Sequence, residues 1–423
     1  MSRLIYTLLF ILVQPLIWLR LLWRARRQPE YLRHLGERYG FYAHAASPHL
    51  LWLHVVSVGE TRAAEPLIRA LLAAFPRHEL LLTHMTPTGR ATGSELVAKY
   101  GDGARLHQAY LPYDLPGACR RFFRHFRPQI GLLMETELWP NLIAIGQARQ
   151  IPILLINARL SAHSQRGYLR FAPLVRPMMR QLAAVAAQTP ADAERLTAIG
   201  AENVRSFGNL KFDVDPAPEK IALGQSWRTA IGQRPVCLAA STREGEETLI
   251  VDAFLQALPP EALLVLVPRH PERFDEVAAM LASRGVNSQR RSSGLPDAAT
   301  RLWLGDSMGE MPAYFTLADL ALIGGTLLPF GGQNLIEAAA CSCPVLVGPH
   351  TYNFAQATED ALACGAAQQI GSADAAARAA AHLLGDHATL DRMRAAACAF
   401  SQAHRGATAR TVALVQTLMG NDG

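Results

Sequence analysis

Short apolar runs alternate with longer helix-like stretches from about residue 45 onward. One series comprises residues 50–56, 80–83, 129–134, 153–156 and 182–187, and a second comprises 236–240, 263–267, 301–304, 320–323 and 345–347. The runs are too short for free-standing helices and are apolar on both faces, which is typical of strands in a covered parallel sheet. Their alternation with helices indicates βαβ units. The pattern therefore predicts an α/β fold of two Rossmann-like, doubly wound domains with a cleft between them.

A proline-rich stretch at residues 213–220 separates the two series and is predicted to be a linker. The length of 423 residues favours two to four domains. We therefore expect an N-terminal Rossmann-like domain at 28–212 and a C-terminal one at 221–373. The alanine-rich stretch at 374–423 is predicted to be a helical tail.

Residues 4–19 form an apolar stretch without a charged residue, and residues 21–23 extend it beyond Arg20. A full membrane span needs about 20 residues, so a short span and an interfacial helix both stay open. Arginines follow at positions 20, 24, 26 and 27, which predicts a cytoplasmic location for the rest of the chain. A cleaved signal peptide is disfavoured, because Arg-rich sequence stands where small residues would mark the cleavage site. We predict an uncleaved anchor with its basic flank at 1–27, kinked at Pro15, and a buried core helix is the other alternative.

The net charge of +6 is concentrated at one end of the chain. Residues 1–40 contain seven Arg and two Glu, which is +5 and leaves +1 for all other residues. Without a basic stripe of interleaved aromatic residues elsewhere, nucleic acid is a poor candidate partner. The six cysteines include no CxxC pair, so a CxxC-type zinc or redox site is not expected.

Two acidic motifs follow strands of the first series, at the sheet edge where doubly wound folds bind ligands. Glu60 follows the first strand in Ser57-Val-Gly59-Glu60. It could take a proton from a hydroxyl group, or it could only stabilise the start of a helix. Glu135 and Glu137 follow another strand, and because unpaired burial would be costly they imply a cationic or hydroxyl-rich partner. Capping of the next helix is the alternative.

A glycine-rich loop at residues 324–332 follows a strand of the second series and leads into a helix. Backbone N–H groups of such a loop can bind an anion, and Glu337 lies one turn into the helix, within reach of ribose hydroxyls. The loop is neither a Walker A motif nor GxGxxG, and a tight turn is the alternative. Arg269 follows another strand and is a candidate bidentate phosphate ligand.

Two further motifs point to other chemistries. Ser307 lies in a GxSxG string typical of hydrolases, but the string is in the second series and no oxyanion-type loop accompanies it. Asp213 and Asp215 match a metal-binding DxD string, but they lie in the linker and are predicted to be solvated. No metal site is expected.

The motifs HVVSVGE, METELWPN, NARLS, GNLKFD, ASTREGEE, LVPRHPERF, GDSMGEM and GGQNLIEAAACSCPVLVGPHTYNF resemble, in this order, those of bacterial 3-deoxy-D-manno-octulosonic acid (Kdo) transferases of lipopolysaccharide assembly. The resemblance extends from the anchor to about residue 365. It implies a GT-B glycosyltransferase that moves Kdo from CMP-Kdo to a hydroxyl of the lipid A precursor, lipid IVA. It further implies inversion, no metal, no cofactor, and attachment to the anionic inner membrane with a cytoplasmic catalytic body. A related GT-B transferase or epimerase that uses a UDP-sugar is the alternative.

The resemblance also implies roles for individual residues. Glu60 is the expected catalytic base, and Glu135, Glu137 and Lys211 are expected charged groups at the reacting centre. Which of the two loop glutamates faces that centre stays open, as does the number of Kdo residues added. Ser57 and Gly59 are expected on the acceptor side, in the N-terminal domain. The CMP site of the C-terminal domain is expected to comprise Pro268, Arg269, Gly309, Glu310, Met311, Gln333, Asn334, Leu335, Ile336, Glu337 and Ala338.

Overall fold

The computed structural model describes residues 2–43, 47–100 and 105–420. The chain divides into two compact units, Met1–Val214 with Arg405–Gly423, and Asp215–His404. Each unit contains one seven-stranded sheet in which all neighbouring strands are parallel. The predicted fold class of two Rossmann-like domains is confirmed.

The first unit alternates strands and helices after a long N-terminal helix. Its strands are β1 (Leu50–His54), β2 (Glu79–His84), β3 (Leu106–Tyr110), β4 (Ile130–Met134), β5 (Ile153–Ala158), β6 (Ala184–Ala187) and β7 (Val204–Ser206). Its helices are α1 (Arg3–Ala25), α2 (Leu35–Arg38), α3 (Val58–Ala63), α4 (Glu65–Ala74), α5 (Pro87–Tyr100), α6 (Pro116–Phe126), α7 (Pro140–Ala148), α8 (Ala162–Arg170), α9 (Ala172–Arg180) and α10 (Pro190–Ala198). Turns of 3₁₀ helix lie at Pro29–Leu32 and Leu210–Asp213.

The first sheet has the order β3-β2-β1-β4-β5-β6-β7, which places β1 at an inner position between β2 and β4. All five β1 residues are buried because helices cover both faces of the sheet. Trp52 packs on one face against Phe122 and Phe123, whereas Leu51 and Leu53 pack on the other. The two apolar faces hold the carboxyl ends of β1, β4 and β5 at one edge of the sheet.

The second unit repeats this plan with the order β10-β11-β9-β8-β12-β13-β14. Its strands are β8 (Val236–Thr242), β9 (Leu263–Pro268), β10 (Ser288–Arg290), β11 (Leu302–Leu304), β12 (Leu320–Ile323), β13 (Val345–Val347) and β14 (Ala367–Gln369). Its helices are α11 (Pro218–Ile231), α12 (Glu246–Ala257), α13 (Phe274–Ser283), α14 (Met311–Leu317), α15 (Leu335–Ala340), α16 (Ala355–Ala363), α17 (Ala373–Gly385) and α18 (His387–Ala403). Turns of 3₁₀ helix lie at Pro271–Arg273 and Arg291–Ser293.

The stretch predicted as one helical tail is divided between the two units. Helices α17 and α18 belong to the second unit, whereas α19 (Ala407–Met419) belongs to the first and packs against α4. The carboxylate of Asp213 accepts the backbone N–H groups of Gly406 and Thr408, at 2.6 and 2.5 Å. The prediction of a solvated loop is therefore wrong for Asp213, which holds the start of α19.

Helix α1 is longer than the charge-free stretch that predicted it, and Pro15 does not end it. Among the described residues it is the one helix that is long and apolar enough to cross a membrane. This length and composition are compatible with the predicted membrane anchor.

Candidate active site

The predicted catalytic residues of the first unit lie beyond the carboxyl ends of its strands. Glu60 follows β1, Glu135 and Glu137 follow β4, and Lys211 lies in the 3₁₀ turn after β7. The pKa of Glu60 responds to the charges of both loop glutamates, and the pKa of Lys211 responds to Glu60 and Glu135. The fold therefore gathers residues from three distant sequence motifs into one charged cluster.

Glu60 is held in the first turn of α3 by a capping arrangement. The Ser57 hydroxyl accepts the N–H of Glu60 at 3.3 Å and donates to its Oε1 at 2.9 Å, while the N–H of Val56 donates to Oε2 at 3.0 Å. This geometry resembles a capping box, so Glu60 does stabilise the helix start. Gly59 beside it is exposed, and a Cβ there would meet only Ser57 Oγ at 3.9 Å, which leaves open space next to the carboxylate.

The pKa of Glu60 is raised above its ordinary value, mainly because the carboxylate is desolvated by burial. The negative charges of Glu135 and Glu137 raise it further, whereas the hydrogen bonds from Val56 and Ser57 oppose the shift. A carboxylate whose pKa moves toward neutrality is a better general base than an ordinary glutamate. Glu60 thus acts as a capping residue, and its role as a base stays a prediction with which the raised pKa agrees.

The two glutamates of the loop after β4 have different partners. Glu135 lies 3.3 Å from the guanidinium Nε of Arg159. Its backbone has φ of 61°, a left-handed conformation that is uncommon for a non-glycine residue and concentrates at functional sites. Glu137 accepts the indole N–H of Trp139 at 3.0 Å, and its Oε2 lies 3.8 Å from Nε2 of the fully buried His54.

Lys211 has a lowered pKa because burial disfavours its charged form, and nearby Arg159 lowers the pKa further. The carboxylates of Glu135 and Glu60 oppose this shift. The turn that carries the lysine is fixed by Asn157 at the end of β5, whose Oδ1 accepts the N–H of Leu210 at 3.0 Å. The cluster therefore holds three carboxylates and two cations on anchored backbone.

Sequence reasoning assigned no role to Arg159 or His54, although both lie in the quoted motifs. Arg159 immediately follows β5 in NARLS, where the strand-end rule would have marked it. His54 ends β1, and its Nδ1 lies 2.9 Å from the hydroxyl of Thr83 on β2, which orients Nε2 toward Glu137. His54 is identified as part of the site only by its contacts with Thr83 on the neighbouring strand and with Glu137.

In the second unit, cations collect at the carboxyl edge of the sheet. Arg269 follows β9 and is exposed, and its backbone N–H is tied to the end of β8 by a 3.0 Å bond to the Thr242 carbonyl. The pKa of His270 is lowered by burial and then by the positive charges of Arg243 and Arg269. Arg243 and Arg269 thus both lie near enough to His270 to act on its pKa, and a group of cations of this kind suits a phosphate group. Arg243 was not among the predicted site residues.

The glycine-rich loop does not offer all its backbone N–H groups to a ligand. The carboxylate of Glu246, which is fully buried, accepts the N–H groups of Gly325 at 2.6 Å, Leu327 at 3.0 Å and Arg243 at 2.9 Å. Gly324 is required for close approach, because a Cβ there would lie 2.4 Å from the carbonyl oxygen of Ser241. The expectation that this part of the loop binds an anion is therefore wrong: the chain's own glutamate occupies it.

The remaining predicted donor residues have mixed environments. Glu310 pairs with Arg291 at 3.2 Å, and Gly309 before it has φ of 73° with open space around it. Gln333 is half-buried, and Asn334 caps α15 by accepting the N–H of Ile336 at 3.2 Å. Glu337 is also half-buried. The side chains of Pro268, Leu335, Ile336 and Ala338 are buried, and Met311 is half-buried at the start of α14.

The two competing motifs have ordinary structural surroundings. Ser307 Oγ lies 2.8 Å from the hydroxyl of Tyr314, a partner that does not provide the base of a hydrolase triad. Within residues 2–43, 47–100 and 105–420, no group of three or more His, Cys, Asp and Glu side chains is placed to hold a metal ion.

Comparison with known proteins decides the family. Residues 33–214 match the family model of the 3-deoxy-D-manno-octulosonic-acid transferase (kdotransferase). The 3-deoxy-D-manno-octulosonic acid transferase of Bordetella pertussis is 45% identical over 433 residues, which cover 99% of this chain and 100% of the relative. The chain belongs to the Kdo transferase family. The Haemophilus influenzae Kdo transferase is 37% identical over 425 residues, covering 98% of both chains.

Membership of the Kdo transferase family makes the chain a glycosyltransferase of lipopolysaccharide biosynthesis. The fold agrees with this class. A glycosyltransferase structure from Rickettsia africae superposes with a TM-score of 0.60 at 12% identity, covering 88% of this chain and 99% of that one. At this identity the likeness shows the GT-B-like fold alone.

Proposed function

We propose that this enzyme transfers Kdo from CMP-Kdo to a hydroxyl group of lipid IVA, with inversion at the sugar carbon and without a metal ion. The observation that carries the proposal is the cluster around Glu60, in which a glutamate of raised pKa lies among charges that include Lys211 and Arg159. Family membership indicates that the transferred sugar is Kdo. The cluster contains the carboxylate and the cations that the reaction needs.

The acceptor hydroxyl gives its proton to Glu60 as its oxygen bonds to the anomeric carbon of Kdo. The bond between that carbon and the CMP phosphate oxygen breaks on the opposite face, and CMP takes the bonding electron pair. Lys211 stabilises the sugar carboxylate or the departing phosphate by charge. We assign the reacting centre to Glu135, which pairs with Arg159 and acts on the pKa of Lys211, whereas Glu137 is oriented by Trp139 and His54.

We assign CMP-Kdo binding to the carboxyl edge of the second sheet. Arg269 and Arg243 bind the phosphate, and the half-buried Gln333, Asn334 and Glu337 bind the nucleotide hydroxyls. Leu335, Ile336 and Ala338 support this surface from the core, because their side chains are buried.

Removing either arginine should weaken CMP binding. A charge-assisted hydrogen bond contributes about 1.5–3 kcal/mol, so we expect Arg269→Ala or Arg243→Ala to raise the Kd for CMP by about 10–150-fold in calorimetry. Arg284→Ala is the matched control, because Arg284 follows α13 and pairs with Asp252. Equal affinity of all three variants and the wild type would remove both arginines from the donor site.

Chelation should not affect the reaction, because the chain's own cations neutralise the departing phosphate. We expect the initial rate of Kdo transfer to be the same in EDTA as in Mg²⁺. Loss of activity in EDTA that added Mg²⁺ restores would show that a metal ion takes part.

The alternative of a UDP-sugar enzyme is distinguished by ligand protection. A ligand that binds only the folded protein raises its Tm, by an amount set by the ratio of its concentration to its Kd. We expect CMP to raise the Tm of the full-length enzyme and UDP at equal concentration to leave it unchanged. The reverse pattern would reject CMP-Kdo as the donor.

We further propose that α1 attaches the enzyme to the cytoplasmic leaflet of the inner membrane. The helix has 23 residues and is apolar enough to cross a membrane. The arginines at 20, 24, 26 and 27 support this location, because each surface arginine adds about 1 kcal/mol of attraction to anionic lipid.

A further inference from the structure

Helix α1 is attached to the first unit along much of its length. The side-chain oxygen of Thr7 lies 3.0 Å from the donating Nδ2 of Asn141. At the helix midpoint, Tyr39 donates its hydroxyl proton to Gln14 Oε1 at 3.2 Å, and its ring stacks on Trp18, one turn later, at 6.1 Å between ring centroids. Leu21, near the end of α1, is the helix residue that is buried.

These four contact positions of α1 form one stripe. Thr7, Gln14 and Leu21 are spaced by seven residues and Trp18 lies between the last two, which places them on one helix face. At 1.5 Å per residue, the stripe from Thr7 to Leu21 is about 21 Å long. The unit thus contacts α1 over a distance close to two thirds of a hydrocarbon core of about 30 Å.

A spanning orientation conflicts with this stripe. If α1 crossed the bilayer with its contacts kept, the loop at Tyr39 and the start of α7 at Asn141 would enter the hydrocarbon. Irregular backbone exposed to lipid there leaves N–H and C=O groups without partners. Asp114 would follow, because its buried carboxylate accepts the N–H of Asn141 at 3.0 Å. An orientation parallel to the membrane keeps every contact and leaves these groups outside the hydrocarbon.

The surface of α1 outside the stripe is suited to lipid. It exposes Leu4, Ile5, Leu8, Leu9, Ile11, Leu12, Val13, Leu16, Leu19, Leu22 and Trp23. A helix that lies in the membrane interface needs one side that is not in contact with lipid. In this protein, that side of α1 is covered by the first unit.

A basic pocket lies next to the residues that contact α1. Arg121 donates to the backbone carbonyl of Tyr39, the residue that holds α1, and stacks at 4.5 Å on Phe41, which is 62% exposed. Arg121, Phe41 and Arg124 line a pocket of about 590 Å³. Exposed aromatic and cationic side chains beside an apolar helix match the interface of an anionic bilayer.

We propose that α1 does not cross the membrane but lies in its plane, so that the first unit rests on the lipid surface. This inference rests on the membrane attachment proposed above. Because Asn141 lies in the first turn of α7, directly after the loop that begins at Glu135, the helix is docked next to the segment that carries the acidic side chains of the candidate active site. An acceptor lipid in the same leaflet then needs no extraction to reach them.

The topology is tested in the full-length chain with a Ser2→Cys substitution. Spheroplasts are treated with a membrane-impermeant maleimide before and after the membrane is opened. We expect residue 2 to be labelled only after opening, together with the naturally exposed Cys364 as the internal control for the cytoplasmic side. Labelling of residue 2 in intact spheroplasts would overturn the proposal, since only a spanning helix places it in the periplasm.

Docking of the helix is tested in the same membranes by crosslinking. We expect Thr7→Cys with Asn141→Cys to form a disulfide on mild oxidation. The matched pair, Leu12→Cys with Asn141→Cys, is expected to form none, because Leu12 is 73% exposed on the lipid side. Failure of the first pair, or recovery of the chain in the soluble fraction, would overturn the proposal. Loss of Kdo transfer with both topology results intact would instead count against the proposed function alone.

Discussion

Replacing Glu60 with glutamine is expected to lower kcat for Kdo transfer by about 10²–10⁴-fold, because a positioned base contributes that factor. Glutamine keeps an oxygen that accepts one of the hydrogen bonds from Val56 and Ser57, so the start of α3 should persist. CMP affinity should be unchanged, since the donor site is assigned to the second unit. The measurement is single-turnover transfer at saturating CMP-Kdo.

Glu65→Gln is the matched control, because Glu65 lies one turn further along and is engaged by Lys99 and Tyr100. It should retain wild-type kcat. In the wild type, kcat/KM should rise with pH as Glu60 loses its proton, with an inflection above the ordinary glutamate range because its pKa is raised. A Glu60→Gln variant within a few-fold of wild type would remove this residue from the role of base.

The raised pKa of Glu60 also predicts a change in stability with pH. The folded state holds the proton more tightly than the unfolded state, so this residue's contribution to stability is present below the unfolded pKa and is lost as pH rises through the folded pKa. The glutamine variant lacks this loss. We therefore expect its Tm, relative to wild type, to improve from acidic to neutral pH in calorimetry. A relative Tm that falls over that range would contradict the raised pKa.

Removing the Glu246 carboxylate is expected to disable the second unit. In Glu246→Ala the buried N–H of Gly325 and the partly buried N–H groups of Leu327 and Arg243 lose their acceptor, and an unsatisfied buried donor costs about 1–3 kcal/mol. The glycine-rich loop that precedes Gln333 and Asn334 should lose its shape. We expect a Kd for CMP at least about tenfold higher, which corresponds to 1.4 kcal/mol, and a lower free energy of unfolding.

Glu244→Ala is the control for this prediction, because Glu244 is exposed in the same turn. If Glu246→Ala does not fold, Glu246→Gln provides the test, since it retains one acceptor oxygen but sets an amide group against backbone donors. CMP binding at wild-type strength by a folded Glu246 variant would show that the loop keeps its shape without the carboxylate.

The sequence predicted the inner strands well and missed the edge strands. All ten predicted runs overlap inner strands, whose residues are buried on both faces and read as apolar. The four missed strands, β3, β7, β10 and β14, are the four sheet edges. An edge strand has one neighbour and partly exposed side chains, as in Val204-Arg-Ser206 and Ser288-Gln-Arg290. Hydrophobic patterning therefore carries little signal there.

Candidate site residues were predictable from the sequence where they directly follow a strand. Glu60, Glu135, Glu137 and Arg269 all follow strands, and parallel strands end at one edge. Partners from other strands, such as Arg159 for Glu135 and His54 for Glu137, were not predictable, because they come from far along the chain. Glu246 binds N–H groups about 80 residues away, in the glycine-rich loop that was predicted to bind an anion. This glutamate belongs to a different motif, ASTREGEE, so the contact could not be inferred from the loop itself.

The most direct test of the account is transfer to the lipid itself. The full-length enzyme is incubated with CMP-Kdo, generated in situ, and lipid IVA, and the lipid is analysed by mass spectrometry. We predict one or more mass increments of a dehydrated Kdo residue for the wild type, and their number counts the transfers; Glu60→Gln should give none in the same time. An enzyme that binds CMP yet leaves the lipid mass unchanged would contradict the proposed acceptor, and an enzyme that neither binds CMP nor transfers Kdo would contradict the proposed reaction.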